Sequence, residues 1–221
     1  METSAKVSAS KYNNKFKLND NFMIIDFEAN FNNYEEKILN NYKIFNYTCP
    51  VCGAKHSLSR HAKYKRYTCI LYKNTICFDT IEILRLKCSS CGKTHAILPS
   101  NIIPYCVYSY SCIFTVLFEH FLDKKSVLKL SDKFNLSFQT IYSFISKLNA
   151  FVKDFMYVLR VLLFIKNNES TSIIYILKIV KDTFKNNQFI IVFFNITKWM
   201  FLMKKFLNTI PKPIWIGVCN T

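Results

Sequence analysis

The chain has 221 residues and is 51% hydrophobic, so it can bury a core, and the composition excludes global disorder. Its net charge of +16 favours a polyanionic partner over a neutral metabolite. Lysine enrichment from an AT-rich genome is the plainer alternative, since Asn, Ile, Phe and Lys are all abundant.

Residues 1–45 are predicted to form a polar N-terminal segment with one short strand and one short helix. The run FMIIDFE at 22–28 favours the strand, and 34–45 favours the helix. The opening METSAKVSAS lacks the apolar stretch of a secretory signal, so a cytoplasmic location is expected. In a reducing compartment, cysteine pairs bind metal more often than they form disulfides.

Two cysteine pairs share one pattern: CPVCG starts at Cys49 and CSSCG starts at Cys88. Two residues between paired cysteines let both sulfurs reach one tetrahedral ion at about 2.3 Å. The glycine after each pair suits a tight turn with positive φ, and the whole chain has only three glycines. Four thiolates leave no position for water, so the sequence predicts a structural Zn²⁺ on Cys49, Cys52, Cys88 and Cys91.

A redox-active or unmetallated set of thiols is the alternative to a zinc site. The other cysteines lack the paired spacing and are interpreted as buried or incidental: Cys69, Cys77, Cys106, Cys112 and Cys219. Three histidines, His56, His61 and His95, lie close enough in sequence to replace a ligand.

The sequence between the cysteine pairs predicts a β-hairpin. Residues 64–72 and 76–87 are rich in β-branched and aromatic side chains, with Lys73 and Asn74 as the turn. Residues 55–93 carry nine basic and two acidic side chains. Cations alternate with aromatic residues at 60–67, which suits phosphate contact and base stacking. The candidate nucleic-acid contacts are Arg60, Lys63, Lys65 and Arg66, and a solvated basic hairpin is the alternative.

The stretch 96–118 contains no charged residue, so it could in principle span a membrane. Pro99, Pro104 and Asn101 make it poor material for a spanning helix of about 20 residues. No membrane partner is therefore expected.

From Ser111 the apolar period becomes helical, and residues 126–148 predict a helix-turn-helix. One apolar stripe is Val127, Leu130 and Phe134, and the second is Ile141, Phe144, Ile145 and Leu148. Asn135 is predicted at a left-handed turn position and Ser137 as the cap of the second helix. Five side chains of that helix are the candidate DNA contacts: Gln139, Thr140, Tyr142, Ser143 and Lys147. An ordinary helical hairpin has the same apolar pattern.

Residues 45–150 resemble a bacterial, Firmicutes-type family of unknown function that is related to the N-terminal regions of insertion-sequence transposases. The carrying motifs are YTCPVCG at 47–53, YKR at 64–66, RLKCSSCGKTH at 85–95, AILP at 96–99 and IPY at 103–105, with Ser137 and Thr140–Ile141 matching in the helices. The resemblance implies a zinc-ribbon DNA-binding protein tied to mobile elements.

The sequence thus predicts an α+β fold, in which a small β zinc ribbon at 46–99 precedes an all-α helix-turn-helix region at 100–165. A basic apolar tail of unclear structure occupies 166–221. We expect a zinc-dependent, transposase-related DNA-binding protein without its own catalytic domain, with a separate transposase subunit or a second copy as further partners. The alternatives are a zinc-ribbon protein-interaction module and a DDE-type transposase fragment. The latter needs three carboxylates around two metal ions, and only Asp154, Glu169 and Asp182 follow the helix pair.

Overall fold

The computed structural model describes residues 23–41, 47–166, 171–184, 188–197 and 200–202. Within these ranges the protein is mixed α+β, with a four-stranded sheet, a five-residue π-helix at Glu35–Leu39 and five α-helices. The strands are β1 Met23–Asp26, β2 Leu58–Tyr72, β3 Thr75–Cys88 and β4 Thr94–Pro99. The α-helices are α1 Tyr110–Phe121, α2 Val127–Phe134, α3 Phe138–Val161, α4 Ile173–Thr183 and α5 Gln188–Thr197.

The sheet has the strand order β1-β4-β3-β2, with a long antiparallel hairpin at one side. Lys73 and Asn74 form its turn with φ values of 45° and 64°, which match the twist of a two-residue hairpin loop. The predicted hairpin and its turn are therefore confirmed. The pairing slips between Arg60 and Ala62, so His61 lies at a bulge in β2.

The short N-terminal strand completes the sheet, as β1 pairs in parallel with β4. Tyr34 holds β3 and β4 together where their own pairing stops: its hydroxyl accepts from the Leu84 N–H at 3.1 Å and donates to the Ile97 carbonyl at 2.6 Å. The predicted N-terminal strand is confirmed, and the predicted helix is present as the π-helix Glu35–Leu39. Residues 42–46 lie outside the described part.

Serine caps define where three of the helices begin. The hydroxyls of Ser126, Ser137 and Ser172 each accept from the backbone N–H three residues later. Asn135 ends α2 in the left-handed conformation (φ 50°, ψ 47°), and the Ser131 hydroxyl closes this turn by donating to the Leu136 carbonyl at 2.6 Å. The predicted turn at Asn135 and the predicted cap at Ser137 are confirmed.

A single buried apolar cluster extends from Ile24 to Leu202. It includes β-sheet residues, both predicted helix stripes and a group of phenylalanines around Phe201, which lies within 5.6 Å of Phe114, Phe151, Phe155, Phe189 and Phe193 by ring centroid. The tail, whose structure the sequence left open, supplies α4 and α5 to this core. The borders predicted at 45, 99 and 165 remain predictions, and they do not separate independent cores.

Residues 100–109, called here the connecting segment, run from β4 to α1 and contact both the hairpin and α3. Cys69 of β2 bridges to Tyr108, with N–H donation to the Val107 carbonyl at 2.7 Å. On the other side, the Tyr108 ring lies edge-on to Phe144, with centroids 5.0 Å apart. The hairpin and α3 are therefore held in a fixed relation through this segment.

Among the described residues, no helix is both long enough and apolar enough to cross a membrane.

Candidate metal centre and nucleic-acid interface

Each cysteine pair sits on a turn with the same hydrogen bonds. The Cys49 carbonyl accepts from the Gly53 N–H, and the Cys88 carbonyl accepts from the Gly92 N–H, both at 2.9 Å. The N–H of Cys49 donates to the Ala54 carbonyl, and the N–H of Cys88 donates to the Lys93 carbonyl, again at 2.9 Å. The repeated sequence pattern thus produces a repeated local structure that turns both thiols of a pair to one side.

The glycines explain why these turns can form. Gly53 and Gly92 have φ values of +73° and +71°, where a side chain would strain the backbone. A Cβ at either position would meet no atom within 4 Å. The requirement for glycine is therefore conformational rather than steric, as the sequence predicts.

The two turns bring the four thiols together. The Sγ atoms of Cys49, Cys52, Cys88 and Cys91 all lie within 4.8 Å of one another. Across the two pairs, Cys49 and Cys91 are 3.7 Å apart, and so are Cys52 and Cys88. A tetrahedron with Zn–S bonds of about 2.3 Å has edges of about 3.8 Å, so the cluster fits one zinc ion.

The surroundings of the thiols also suit a metal. Cys49 and Cys88 are buried, and the Ser57 hydroxyl lies 3.3 Å from the Cys88 Sγ. Burial alone would raise the pKa of the Cys88 thiol, but hydrogen bonds from Ser57 and from the N–H groups of Cys91 and Ser90 lower it to about 6. Burial raises the pKa of the Cys49 thiol to about 12, so these hydrogen bonds favour a thiolate at Cys88 and not at every cysteine of the cluster.

The four cysteines fit a structural zinc site. Four cysteine sulfurs form a soft, tetrahedral ligand set, which selects Zn²⁺ or an iron–sulfur centre over hard cations. All four positions around an ion would be filled by protein, so no site is left where a metal-bound water could act. The ion would join the start of β2 to the end of β3.

The histidines differ in their relation to the cluster. His95 is fully buried on β4, and its Nε2 lies 3.4 Å from the Cys49 Sγ. His56 and His61 are exposed. His95 therefore contacts a thiol of the cluster, whereas the sequence suggested it only as a replacement ligand.

The remaining cysteines lie apart from this cluster. Cys69 and Cys112 are buried, and Cys77 and Cys106 are partly buried. Cys219 lies outside the described residues. The interpretation of the described four as buried or incidental agrees with their placement.

Arg60 is occupied by main-chain carbonyls. Its guanidinium donates at 2.9 Å to the carbonyls of Ile38 and Leu39, and it also donates to the carbonyl of Asn41. These carbonyls lie at and just beyond the C-terminal end of the π-helix. These bonds fasten the turn to β2, and contact between Arg60 and phosphate stays a prediction.

Arg66 also binds main-chain carbonyls, and its contact with phosphate likewise stays a prediction. Its guanidinium donates to the Ile103 carbonyl at 2.8 Å and to the Cys106 carbonyl at 2.9 Å, so it fastens the connecting segment to β2. Burial lowers the pKa of Arg66. An arginine and a lysine look alike in a charge pattern, and only tertiary contacts show which cations are occupied.

The two predicted lysine contacts on β2 remain available to a ligand. Lys63 pairs with Glu82 at 3.0 Å, with both side chains more than 40% exposed, a pairing that contributes little. Lys65 is exposed and makes no hydrogen bond or ion pair with the described part of the chain. A phosphate can reach both ammonium groups.

The predicted contacts on α3 divide into two sets. Gln139, Tyr142 and Ser143 are exposed in the first two turns of the helix. The Thr140 hydroxyl lies 2.9 Å from the hydroxyl of the cap residue Ser137, and the Lys147 Nζ lies 3.4 Å from the Cys106 Sγ. Thr140 therefore contacts the cap of its own helix and Lys147 contacts the connecting segment, and their role in phosphate contact stays a prediction.

The carboxylates that a DDE-type site needs are not brought together in what the structure describes. The group of three or more possible metal ligands found there is the cysteine cluster. Asp154 lies on α3 and Asp182 on α4, while Glu169 falls outside the described residues.

Comparison with known proteins found a family-model match over part of the chain. A profile for a domain of unknown function, DUF6431, matches residues 49–131. This match starts at the first ligand cysteine and ends within α2. Neither the search for curated relatives nor the search for similar solved structures found a match.

Proposed function

We propose that the protein is a zinc-dependent DNA-binding protein, related to transposases, that has no catalytic domain of its own. In this proposal the zinc ion stabilises the base of the hairpin, and α2 and α3 act as a helix-turn-helix. The chemistry of the four-cysteine cluster supports the zinc role, since it offers a closed ligand set.

The observation that carries DNA binding is the exposed N-terminal part of α3. A left-handed Asn135 and the cap Ser137 precede it, and α2 packs against its apolar side. The second helix of this motif enters the major groove with its N-terminal residues. Here those residues present an amide at Gln139 and hydroxyls at Tyr142 and Ser143, which are groups that can bond to base edges.

The hairpin would add contacts that do not depend on sequence. Two of its lysines, Lys63 and Lys65, are exposed on β2, and the connecting segment holds β2 beside α3. Phosphate contacts of this kind release counterions and make affinity fall as salt rises. The net charge of +16 favours the same class of partner.

The decisive experiment is selection from a random duplex library, followed by anisotropy titration of the selected site at several salt concentrations. We expect one motif of a few base pairs and a linear fall of log affinity with log salt. A chain that carries zinc but selects no motif and binds without salt dependence would overturn the proposal. Asn149→Ala is the matched control, because Asn149 is exposed on α3 two turns beyond the proposed reading residues.

A further inference from the structure

Two aromatic side chains on the hairpin are far more exposed than aromatic residues usually are. Tyr67 of β2 is 74% exposed and Phe78 of β3 is 71% exposed. Neither ring contacts another ring in the described part of the chain. Exposed apolar side chains that lie next to each other, in contrast to scattered ones, mark an interaction surface.

The strand register places both rings on the same face. Tyr67 is paired with Thr80, and Phe78 is paired with Cys69, two positions further along β2. Paired residues of an antiparallel hairpin share a face, and so do residues two apart on one strand. Tyr67 and Phe78 are thus diagonal neighbours, with backbones about 7–8 Å apart.

The face around them is uncovered only over a short window. Toward the cysteines, Leu84 is buried, and toward the hairpin turn, Ile76 is buried. Between them the same face of β3 carries Phe78, Thr80 and Glu82, all exposed. On β2 the buried Cys69 lies opposite Phe78 and borders this window, and the two rings stand in its open part, outside the core.

The charges at this window indicate the kind of ligand. Lys65 lies two residues before Tyr67 and so shares its face, and Lys63 follows on the same face with Glu82 as its ion-pair partner. Flat aromatic rings beside the exposed Lys65 match a chain of phosphates that carries exposed, flat bases. An apolar protein surface would leave the Lys65 ammonium without an anion.

We propose that Tyr67 and Phe78 form a stacking platform for unpaired nucleobases, with Lys65 binding the adjacent phosphate. The inference deepens the proposed function: α3 would read duplex DNA, while the hairpin would hold a single-stranded or opened segment. Stacking on aromatic rings tolerates any base, so the platform would add affinity without adding sequence preference.

The test uses the zinc-loaded full chain and fluorescently labelled 12-mers of oligo-dT and oligo-U, with a blunt duplex measured in parallel. Tyr67→Leu and Phe78→Leu keep an apolar side chain but remove the ring. Each is expected to weaken oligo-dT binding about 5- to 150-fold, the usual range for loss of one base stack. Tyr67→Phe keeps the ring and should bind like the wild type. Tyr157→Leu is the matched control, because Tyr157 is 55% exposed on α3, outside the hairpin.

The outcomes separate this inference from the function on which it rests. Leucine variants that bind oligo-dT as the wild type does, with unchanged zinc content, overturn the platform. A wild-type chain that selects a duplex motif but binds neither single strand overturns the platform and leaves the proposed function standing. Binding to single strands without duplex binding, lost in the leucine variants, supports the platform and overturns duplex reading by α3. A preference between oligo-dT and oligo-U decides which nucleic acid the platform takes.

Discussion

The Sγ atoms of Cys52 and Cys88 lie 3.7 Å apart although 36 sequence positions separate them. The hairpin returns the chain to its starting point, and the Ser89 N–H donates to the Ser57 carbonyl at 2.8 Å to align the two turns. Thiolates at this distance repel each other unless a cation lies between them. The metal would therefore stabilise the contact between the two ends of the hairpin.

Metal content is the first prediction. Protein purified without chelator should contain one zinc per chain by elemental analysis, and Cys49→Ser with Cys88→Ser should lose it. Chelation should lower the midpoint of thermal unfolding, since a ligand at 100 times its Kd stabilises by about 2.7 kcal/mol. Cys77→Ser, outside the cluster, is the control. Absence of zinc, or full retention in the double variant, contradicts the assignment.

The turn glycines give the second prediction. Gly53→Ala should destabilise the zinc-bound protein by about 1–2 kcal/mol, because L-residues in the left-handed region incur that penalty. Gly53→Asn should cost less, since Asn adopts this conformation more readily. Denaturant unfolding measures both. Equal stability of Gly53→Ala and wild type would show that the turn relaxes to negative φ.

Two cations on the same strand should behave in opposite ways. Arg60→Ala removes bonds to carbonyls at the end of the π-helix, so it should lower the free energy of unfolding by about 1–3 kcal/mol. Lys65→Ala should leave stability unchanged and reduce the slope of log affinity against log salt by about 0.9. Denaturant unfolding gives the stability of each variant, and binding titrations at several salt concentrations give the slope for each. If Arg60→Ala changed only the slope, Arg60 would be a phosphate contact after all.

Base reading is the fourth prediction. Gln139→Ala should relax the selected DNA motif at one position, with a loss of about 1–3 kcal/mol of discrimination for adenine. Zinc content and the unfolding midpoint should stay as in the wild type, because Gln139 is exposed. Library selection with the variant, the wild type and Asn149→Ala measures the effect. Identical motifs from all three would show that Gln139 does not read bases.

The fifth prediction concerns pH and the contact between α1 and α2. Glu119 is 8% exposed and pairs with Lys125 at 2.8 Å and with Lys133 of α2. Burial would raise the pKa of Glu119, but the two lysines hold it below its usual value of 4.5. The carboxylate therefore stabilises the fold above about pH 4.5 and loses this contribution as the pH falls through the lower native pKa. Unfolding at pH 3–7 should show a smaller acid dependence for Glu119→Gln; an unchanged dependence would assign it to other carboxylates.

Short-range sequence patterns predicted the cysteine cluster. The spacing of the cysteines and the position of Gly53 and Gly92 depend on a few neighbouring residues, and they specify the turns without tertiary information. The same holds for the hairpin turn at Lys73 and Asn74 and for the cap at Ser137. In each case the backbone conformation is decided within about five residues.

Nonlocal contacts explain what the sequence could not show. Arg60 and Arg66 follow the charge pattern of a nucleic-acid surface, yet distant carbonyls occupy both. Phe78 belongs to a strand with apolar residues on both faces, and only the sheet's packing leaves it exposed. The pairing of β1 with β4 joins segments some 70 residues apart, which no local pattern encodes.

That pairing also sets the limits of the folding unit. The family match begins at residue 49, but β1 and Tyr34 lie before it and complete the sheet that carries the cysteine cluster. A fragment cut at the start of the match would leave β4 as an open edge strand, a template for pairing with other chains. Such a fragment would also lack the carbonyls of Ile38 and Leu39 to which Arg60 donates. The family match is thus shorter than the sheet that carries the cysteine cluster, and we expect a stable fragment to need β1 and Tyr34 as well.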